Sequence, residues 1–415
     1  MSSSVSDLAK AARRASRVVG LASSETKDRA LRNVAERLRA ESAQIADANA
    51  RDLEAGRARL SAPMLDRLRM DPKITEATAR GVEQVIALPD PIGSRGAMLR
   101  RPNGILVGRQ RVPLGVIAMI YESRPNVTID AASLCLKSGN AVLLRGGKEA
   151  GHTNQVLGKI LGSALSAAGL PAEAVQVVPA GDRESVKELL SLSGLIDLAI
   201  PRGGEGLVRF VSENARVPVI QHYQGVNHLF LDRDAELGMA TALAVNAKAQ
   251  RPATCNALEC LLVHAEAAER LLPPVARALL EQGVELRGDP RSRELVPAIR
   301  AAADDDFGRE FLDKILAVRV VSDLEGALEH IARYGSNHSE SICTGSYESA
   351  QRFLREVDAS CVLVNASTRL NDGGELGLGC EIGTATSKLH AYGPMGLESL
   401  TTEKWIVLGE GQVRG

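Results

Sequence analysis

Between Val112 and Ile220 the chain alternates continuous apolar runs with amphipathic stretches, a pattern that leaves few folds open. Val116-Ile117-Ala118-Met119-Ile120, Ala141-Val142-Leu143-Leu144, Ala174-Val175-Gln176-Val177-Val178 and Ile196-Asp197-Leu198-Ala199-Ile200 read as strands. Helices are expected between them: through Ile129, Ala132 and Leu136, then 153–168, then 185–192. A strand that is apolar at nearly every position is covered on both faces. Such strands separated by helices predict an α/β fold with a parallel sheet between helical layers, whose ligands gather at the carboxyl ends of the strands. A second alternating stretch runs from about Leu237 to Val364. Its strands lie at 315–321, 341–343 and 361–364, and its helices near 324–334 and 347–356.

The ends of the chain read differently. The first 90 residues are helical, with Ser24 or Thr26 as the cap of a helix through Arg29, Leu31, Val34, Leu38 and Ile45. Asp71-Pro72 opens another helix, since proline suits the first turn. Asn103-Gly104, flanked by 97–101 and 105–110, is a hairpin signal. Its arginines make it too polar for the core, so it should project and meet another subunit. After a glycine-rich stretch over 366–396, Lys404-Trp405-Ile406-Val407-Leu408 reads as a last strand.

Composition closes off several functions. With 50 Lys+Arg against 51 Asp+Glu the net charge is −1, without the basic excess of a nucleic-acid binder. No apolar run approaches the roughly 18 residues of a membrane span. The first residues lack the pattern of a secretory signal, and Asp7 argues against a transit peptide, so a cytoplasmic protein is expected. Length alone, 415 residues, predicts about two to three domains. The six cysteines form no C-x-x-C and sit near no histidine pair of zinc-like spacing, so reduced thiols and no metal are expected.

Chemistry concentrates in four segments, each with two readings. Tyr121-Glu122-Ser123-Arg124-Pro125-Asn126-Val127-Thr128 follows an apolar strand, and Asn126 either caps the next helix or offers its amide to a substrate oxygen. Pro201-Arg202-Gly203-Gly204-Glu205-Gly206 is either a phosphate cradle at a helix N-terminus or a plain turn. Arg145 and Lys148 either meet a nucleotide phosphate or are solvated cations on a turn. In Arg251-Pro252-Ala253-Thr254-Cys255-Asn256-Ala257, Cys255 is either a core thiol or a nucleophile for an acyl or aldehyde carbon. Cys260, inside an apolar run, should be buried and inert.

Taken together, several motifs resemble the aldehyde dehydrogenase superfamily, and within it the branch that reduces γ-glutamyl phosphate. They are Val112-Pro113-Leu114-Gly115-Val116-Ile117 through Glu122–Thr128, Lys137-Ser138-Gly139-Asn140-Ala141, Gln250–Ala257, Asn365-Ala366-Ser367-Thr368-Arg369, and 377–383 continuing to Gly393-Pro394-Met395-Gly396-Leu397-Glu398. They span nearly the whole chain in the family's order. The resemblance implies a Rossmann-like cofactor domain (1–96 and 113–233, with parts of 366–397). It also implies an α/β catalytic domain (234–365) and a small β oligomerisation element (97–112 and 398–415) that makes a dimer or tetramer.

The implied reaction is the reversible, NADPH-dependent reduction of glutamyl 5-phosphate to glutamate 5-semialdehyde and phosphate, a step of proline synthesis. By resemblance, Cys255 is the nucleophile, and the Asn126 amide with the Cys255 N–H holds the developing oxyanion. Glu310 contacts the nicotinamide ribose, Arg145 or Lys148 meets the NADP(H) 2′-phosphate, and Gly203 and Gly204 belong to the cofactor loop. Arg124, Arg251 and Arg369 are candidates for the substrate's phosphate and α-carboxylate, without individual assignment. Hydrolytic relatives carry a water-activating glutamate where this chain reads Val219-Ile220-Gln221-His222-Tyr223-Gln224-Gly225, a stretch without a carboxylate. Phosphate itself can cleave a thioester, which favours the phosphorylating reaction. The competing readings are a hydrolytic or CoA-acylating aldehyde dehydrogenase and a catalytically silent member. No kinase segment accompanies these motifs, so the acyl phosphate is expected from a separate glutamate kinase in transient contact.

Overall fold

Two parallel sheets, each clothed in helices, form the body of the computed structural model, which describes residues 4–179 and 183–414. The strands in chain order are β1 (Leu99–Arg100), β2 (Leu106–Pro113), β3 (Val116–Tyr121), β4 (Ala141–Arg145), β5 (Val175–Val177) and β6 (Leu198–Arg202). Then come β7 (Asn227–Leu231), β8 (Leu258–His264), β9 (Glu285–Gly288), β10 (Arg300–Ala301) and β11 (Ile315–Val321). The last are β12 (Ser339–Cys343), β13 (Cys361–Val364), β14 (Thr384–Ala385), β15 (Gly393–Pro394) and β16 (Thr401–Leu408). The first sheet has the order β5-β4-β3-β6, parallel throughout. The second has the order β10-β9-β11-β8-β7-β12-β13, also parallel. Every residue of β3 and β4 is buried, as the unbroken apolar runs require.

The strand orders place the site. In the first sheet β4 and β5 lie on one side of β3 and β6 on the other, so connections diverge at β3, and a crevice opens at its carboxyl end. The Tyr121–Thr128 loop and Arg202 meet there, with the Glu122 N–H donating to the Arg202 carbonyl at 3.2 Å. In the second sheet β8, β7 and β12 are successive neighbours.

The N-terminal helices depart from expectation in one respect. The cap of Ser24–Ala40 is Ser23, which accepts from the Thr26 N–H, and a break at Glu41 puts Ile45 on a separate helix, Ser42–Gly56. A serine one position earlier has the extended backbone a cap needs, whereas Ser24 is already helical. Asp71 caps Pro72–Ala87 as expected, accepting from the Ile74 N–H at 2.9 Å.

The hairpin forms with Leu99 opposite Val107, and Gly104 takes the positive φ, +88°, that the turn requires. β16 then lies antiparallel along all of β2, from Thr401 opposite Pro113 to Leu408 opposite Leu106. This arm carries no core of its own. Trp405 is 62% exposed, with the Arg109 guanidinium 4.4 Å from its ring centroid, and Val407, Leu408 and Leu99 are exposed beside it. Among the described residues no helix is long and apolar enough to cross a membrane, and all six cysteines are free thiols.

Candidate active site

Cys255 lies in a turn just before β8, half-buried. The turn is held from three sides. The Asn227 Nδ2 donates to the Cys255 carbonyl at 2.8 Å and to that of Ala257 at 2.6 Å. The Asn256 Nδ2 donates to the Asn371 carbonyl at 3.0 Å. Gly225 packs flat against the Cys255 backbone, where a Cβ would come within 1.9 Å of the Cys255 oxygen. Only glycine fits there.

The ends of the turn are clamped from below. Lys248, just before it, and Glu259, just after it, form a buried pair at 2.6 Å, both essentially unexposed. Burial pushes Glu259 up to about 7 and Lys248 down, each opposed by the partner's charge.

Arginines converge on the thiol. Burial pushes the Cys255 thiol above its usual range; Arg202 and Arg369 pull it down, while Glu381 and Glu310 push it further up. Partial desolvation and repulsion from Arg202, Arg67 and Arg251 lower the Arg124 guanidinium, which also feels Cys255. Arg369 is lowered by burial and by Arg251. Of the three sequence-predicted arginines, Arg124 and Arg369 thus act on Cys255 directly, and Arg251 acts on both of them. Arg369 is also tied to the turn, donating to Gln250 Oε1 at 3.0 Å, to Thr254 Oγ1 at 3.0 Å and to Asn256 Oδ1. Arg202, at the end of β6, was not singled out from sequence. Its position at the carboxyl end of a strand was the available signal.

Asn126 is not a cap. It is the first residue of the helix Asn126–Lys137, and no side chain caps that end. Its Nδ2 donates instead to Asp130 Oδ2 at 3.0 Å, one turn on. Burial pushes the Asp130 carboxyl up to about 6, against this hydrogen bond and the charge of Arg202. Because a carboxylate only accepts, the bond fixes which end of the Asn126 amide carries the N–H groups.

The cofactor candidates are dispersed. The Gly204 N–H at the start of the helix Glu205–Asn214 donates to Glu122 Oε2 at 2.9 Å, so a carboxylate already sits at that helix end, beside Gly203. Glu310 accepts from the Gly225 N–H at 3.0 Å, which places it beneath the Cys255 turn. Arg145 ends β4 buried, donating to the Gly146 carbonyl at 2.6 Å, so it is not a solvated cation. Lys148 is exposed on the turn beyond it. Further along, a cleft of about 610 Å³ opens between β5 and the helix Gly151–Ala167, lined by Gly147, Gln155, Gly158, Lys159 and Gln176. Lys159 was missed from sequence, where it reads as one polar position of a helix.

No histidine was expected beside Cys255. Its Sγ and one ring nitrogen each from His222 and His338 lie within 4.8 Å of one another. Burial holds His222 down at about 4, with help from Arg202, and His338 at about 3, with help from His222. The two histidines and Cys255 precede β7, β12 and β8, three adjacent strands, so sequence spacing carries no sign of the cluster. The site is therefore built between the carboxyl ends of β3 and β6 and the amino ends of β7, β8 and β12. The carboxyl-end expectation accounts for its Asn126 and Arg202 wall only.

Residues 2–309 match the model of the aldehyde dehydrogenase family. A Gamma-glutamyl phosphate reductase of Sorangium cellulosum is 62% identical over 98% of this chain and 97% of that protein. One of Anaeromyxobacter is 58% identical over 98% and 96%. The crystal structure of Gamma-glutamyl phosphate reductase from Thermotoga maritima superposes with a TM-score of 0.98 at 43% identity, covering 100% of both chains.

Proposed function

The chain belongs to the aldehyde dehydrogenase family and, within it, to the gamma-glutamyl phosphate reductases, and we propose that Cys255 is the nucleophile of its reaction. The reaction is the reversible, NADPH-dependent reduction of L-glutamyl 5-phosphate to L-glutamate 5-semialdehyde and phosphate, in proline biosynthesis. The observation that carries the site assignment is the positive field of Arg124, Arg202 and Arg369 on one half-buried thiol, with Arg251 acting on Arg124 and Arg369. Four crowded guanidiniums favour a polyanion, and the substrate brings a phosphate and an α-carboxylate, both suited to forked arginine contacts.

The Cys255 thiolate attacks the acyl carbon, the bond to the phosphate oxygen breaks, and phosphate leaves into the arginine basin. The Asn126 amide and the Cys255 N–H donate to the oxyanion formed in that step. NADPH, when bound, supplies the hydride that reduces the resulting thioester. Cys255 then departs as thiolate and the aldehyde forms. The cleft fits the nucleotide: it has the volume of a ligand site, lies at the carboxyl ends of β4 and β5, and offers Lys159, Gln155 and Gln176. Lys148 and Lys159 are assigned to the 2′-phosphate, and Glu310 to the nicotinamide ribose. Glu122 on the Gly204 N–H weighs against a phosphate at that helix end.

Glu310 and Glu381 are the carboxylates that Cys255 feels, and each is held by a backbone N–H, of Gly225 at 3.0 Å and of Gly373 at 2.9 Å. Each keeps its second oxygen, so the case for phosphate as the group that cleaves the thioester in reverse rests on the 219–225 stretch, which carries no carboxylate. Oxidation of glutamate semialdehyde by NADP⁺ should therefore accelerate with phosphate concentration and stop at one turnover without it. Steady turnover in phosphate-free buffer would mean that water or another acceptor does the work.

Asn126→Ala should lower kcat by about 10² to 10³, the usual loss for one oxyanion donor. Asp130→Asn should lower it less, because the amide keeps both N–H groups and loses only its fixed orientation. The same change should raise stability. Asp130 ionises near 6 when folded and near 3.9 when unfolded, so the fold loses stability as pH rises across that interval. Removing the carboxyl should stabilise the protein by about 3 kcal/mol at pH 8 and by little at pH 4, read by urea denaturation at both.

The exposed apolar arm of β2 and β16 is the proposed oligomer contact, joining a second copy into a dimer or tetramer. Trp405→Glu should reduce the particle mass in light scattering while leaving the monomer folded; an unchanged mass would remove the arm from the interface. Six free thiols agree with a reducing, cytosolic compartment. The acyl phosphate is labile, so the reading includes transient association with the kinase that makes it.

A further inference from the structure

His338 is wholly buried, with Nδ1 2.7 Å from Ser339 Oγ and Nε2 without a hydrogen-bond partner. A hydroxyl, unlike a guanidinium, can accept as well as donate, so this ring is free to take the tautomer that donates from Nδ1 and presents a bare lone pair at Nε2. The His222 ring meets it edge to face with centroids 5.3 Å apart, and Cys255 Sγ completes the group. A thiol and two imidazoles are a borderline-soft donor set, three ligands with room for a fourth. Glu310 and Glu381, which Cys255 also feels, offset part of the positive charge that the arginines bring to the thiol.

A second group of the same composition shows what this one has that the other lacks. His228, Cys260 and His330 are all buried and likewise bring one ligand atom each within 4.8 Å of one another. There the Arg319 guanidinium, which can only donate, is 3.2 Å from His330 Nδ1. His330 Nε2 must then carry the hydrogen, and it lies 3.6 Å from Cys260 Sγ. His228 Nδ1 in turn is 2.9 Å from Glu340 Oε2. That group is a hydrogen-bonded chain in which His330 has no lone pair to give.

We propose that His222, Cys255 and His338 form a binding site for a thiophilic divalent cation of the Zn²⁺ class, which closes the active site reversibly. The cation bonds to Sγ and the thiol proton passes to solvent; nothing is oxidised or reduced. A tetrahedral centre holds its ligand atoms roughly 3.3 to 3.7 Å apart, so the side chains draw in by about an ångström. The fourth position is left for water or phosphate. Closure follows because the sulfur that would attack substrate is then a ligand. That consequence rests on Cys255 being the nucleophile, whereas the binding does not.

The test uses the full-length protein, freed of phosphate and titrated with Co²⁺, whose spectrum reports ligands without reference to activity. One equivalent should give a sulfur-to-metal charge-transfer band with strong tetrahedral d–d bands. Cys255→Ser should abolish the former, His222→Gln and His338→Gln should each weaken binding at least tenfold, and Cys260→Ala should leave the spectrum unchanged. His222 is half-buried, so its variant decides the matter should His338→Gln not fold. One equivalent of Zn²⁺ should displace Co²⁺ and abolish activity, with full recovery on chelation. A spectrum without the sulfur band, or one indifferent to His222→Gln, overturns the site. Co²⁺ bound with these ligands while activity persists would uphold the site and overturn the reading of Cys255 as nucleophile.

Discussion

Cys255→Ala should fold as the parent does and lose at least about 10⁴-fold in activity, the scale on which removal of a covalent nucleophile acts. The fold is expected to survive because the turn is positioned by its backbone. Its anchors are Asn227 on the Cys255 carbonyl, Gly225 against the Cys255 main chain, and Arg369 on Gln250, Thr254 and Asn256. The thiol makes no hydrogen bond that the alanine would miss among the described residues. Residual activity should come from the arginines and Asn126 alone and should proceed without a thioester. Identical circular dichroism and melting, beside lost NADPH oxidation, are the readouts. A variant retaining a tenth of the rate would place the nucleophile elsewhere.

Lys248→Met should cost about 3 kcal/mol of stability, the toll of leaving one member of a buried ion pair alone. Its partner Glu259 is 1% exposed at 2.6 Å, with the Leu312 N–H, at 3.3 Å, as the one further donor among the described residues. The loss should depend on pH. An isolated buried carboxyl stays protonated when folded but ionises near 4.3 when unfolded, so stability falls as pH rises from there. The deficit should therefore be larger at pH 9 than at pH 5. Lys248→Met/Glu259→Leu should recover most of it, because hydrophobic replacement of both charges removes the desolvation cost. Since the pair brackets the Cys255 turn, the single variant should also lose activity that the double variant partly restores. Denaturant midpoints at both pH values decide this, and equal deficits for single and double variants would refute it.

Much of this molecule is legible along the chain because its strongest signals are local. β3 and β4 are unbroken apolar runs, Asn103-Gly104 demands a turn, and Asp71-Pro72 demands a helix start; each forms where expected. The Cys255 turn was legible for another reason, a resemblance carried by motifs in fixed order. What escaped is what only the pairing of distant strands creates. His222, Cys255 and His338 meet because β7, β8 and β12 are neighbours in the second sheet. Arg202 joins them because β6 pairs with β3 and not with β5. The role of Asp130 was hidden by its ordinary place in a helix, where an acid four residues after an asparagine reads as solvated. The Ser23 cap was missed by one residue, a distance at which backbone conformation, not side-chain type, decides.

The most direct test of the account is a trapped intermediate. The protein is mixed with NADP⁺ and glutamate semialdehyde in phosphate-free buffer, quenched in acid and digested for mass spectrometry. The account predicts a glutamyl thioester on the peptide bearing Cys255, stable over the time of the assay and discharged when phosphate is added before the quench. An adduct on another residue, no adduct during a measurable burst of NADPH, or discharge as fast without phosphate as with it would contradict the assignment of Cys255 and of phosphate as its partner.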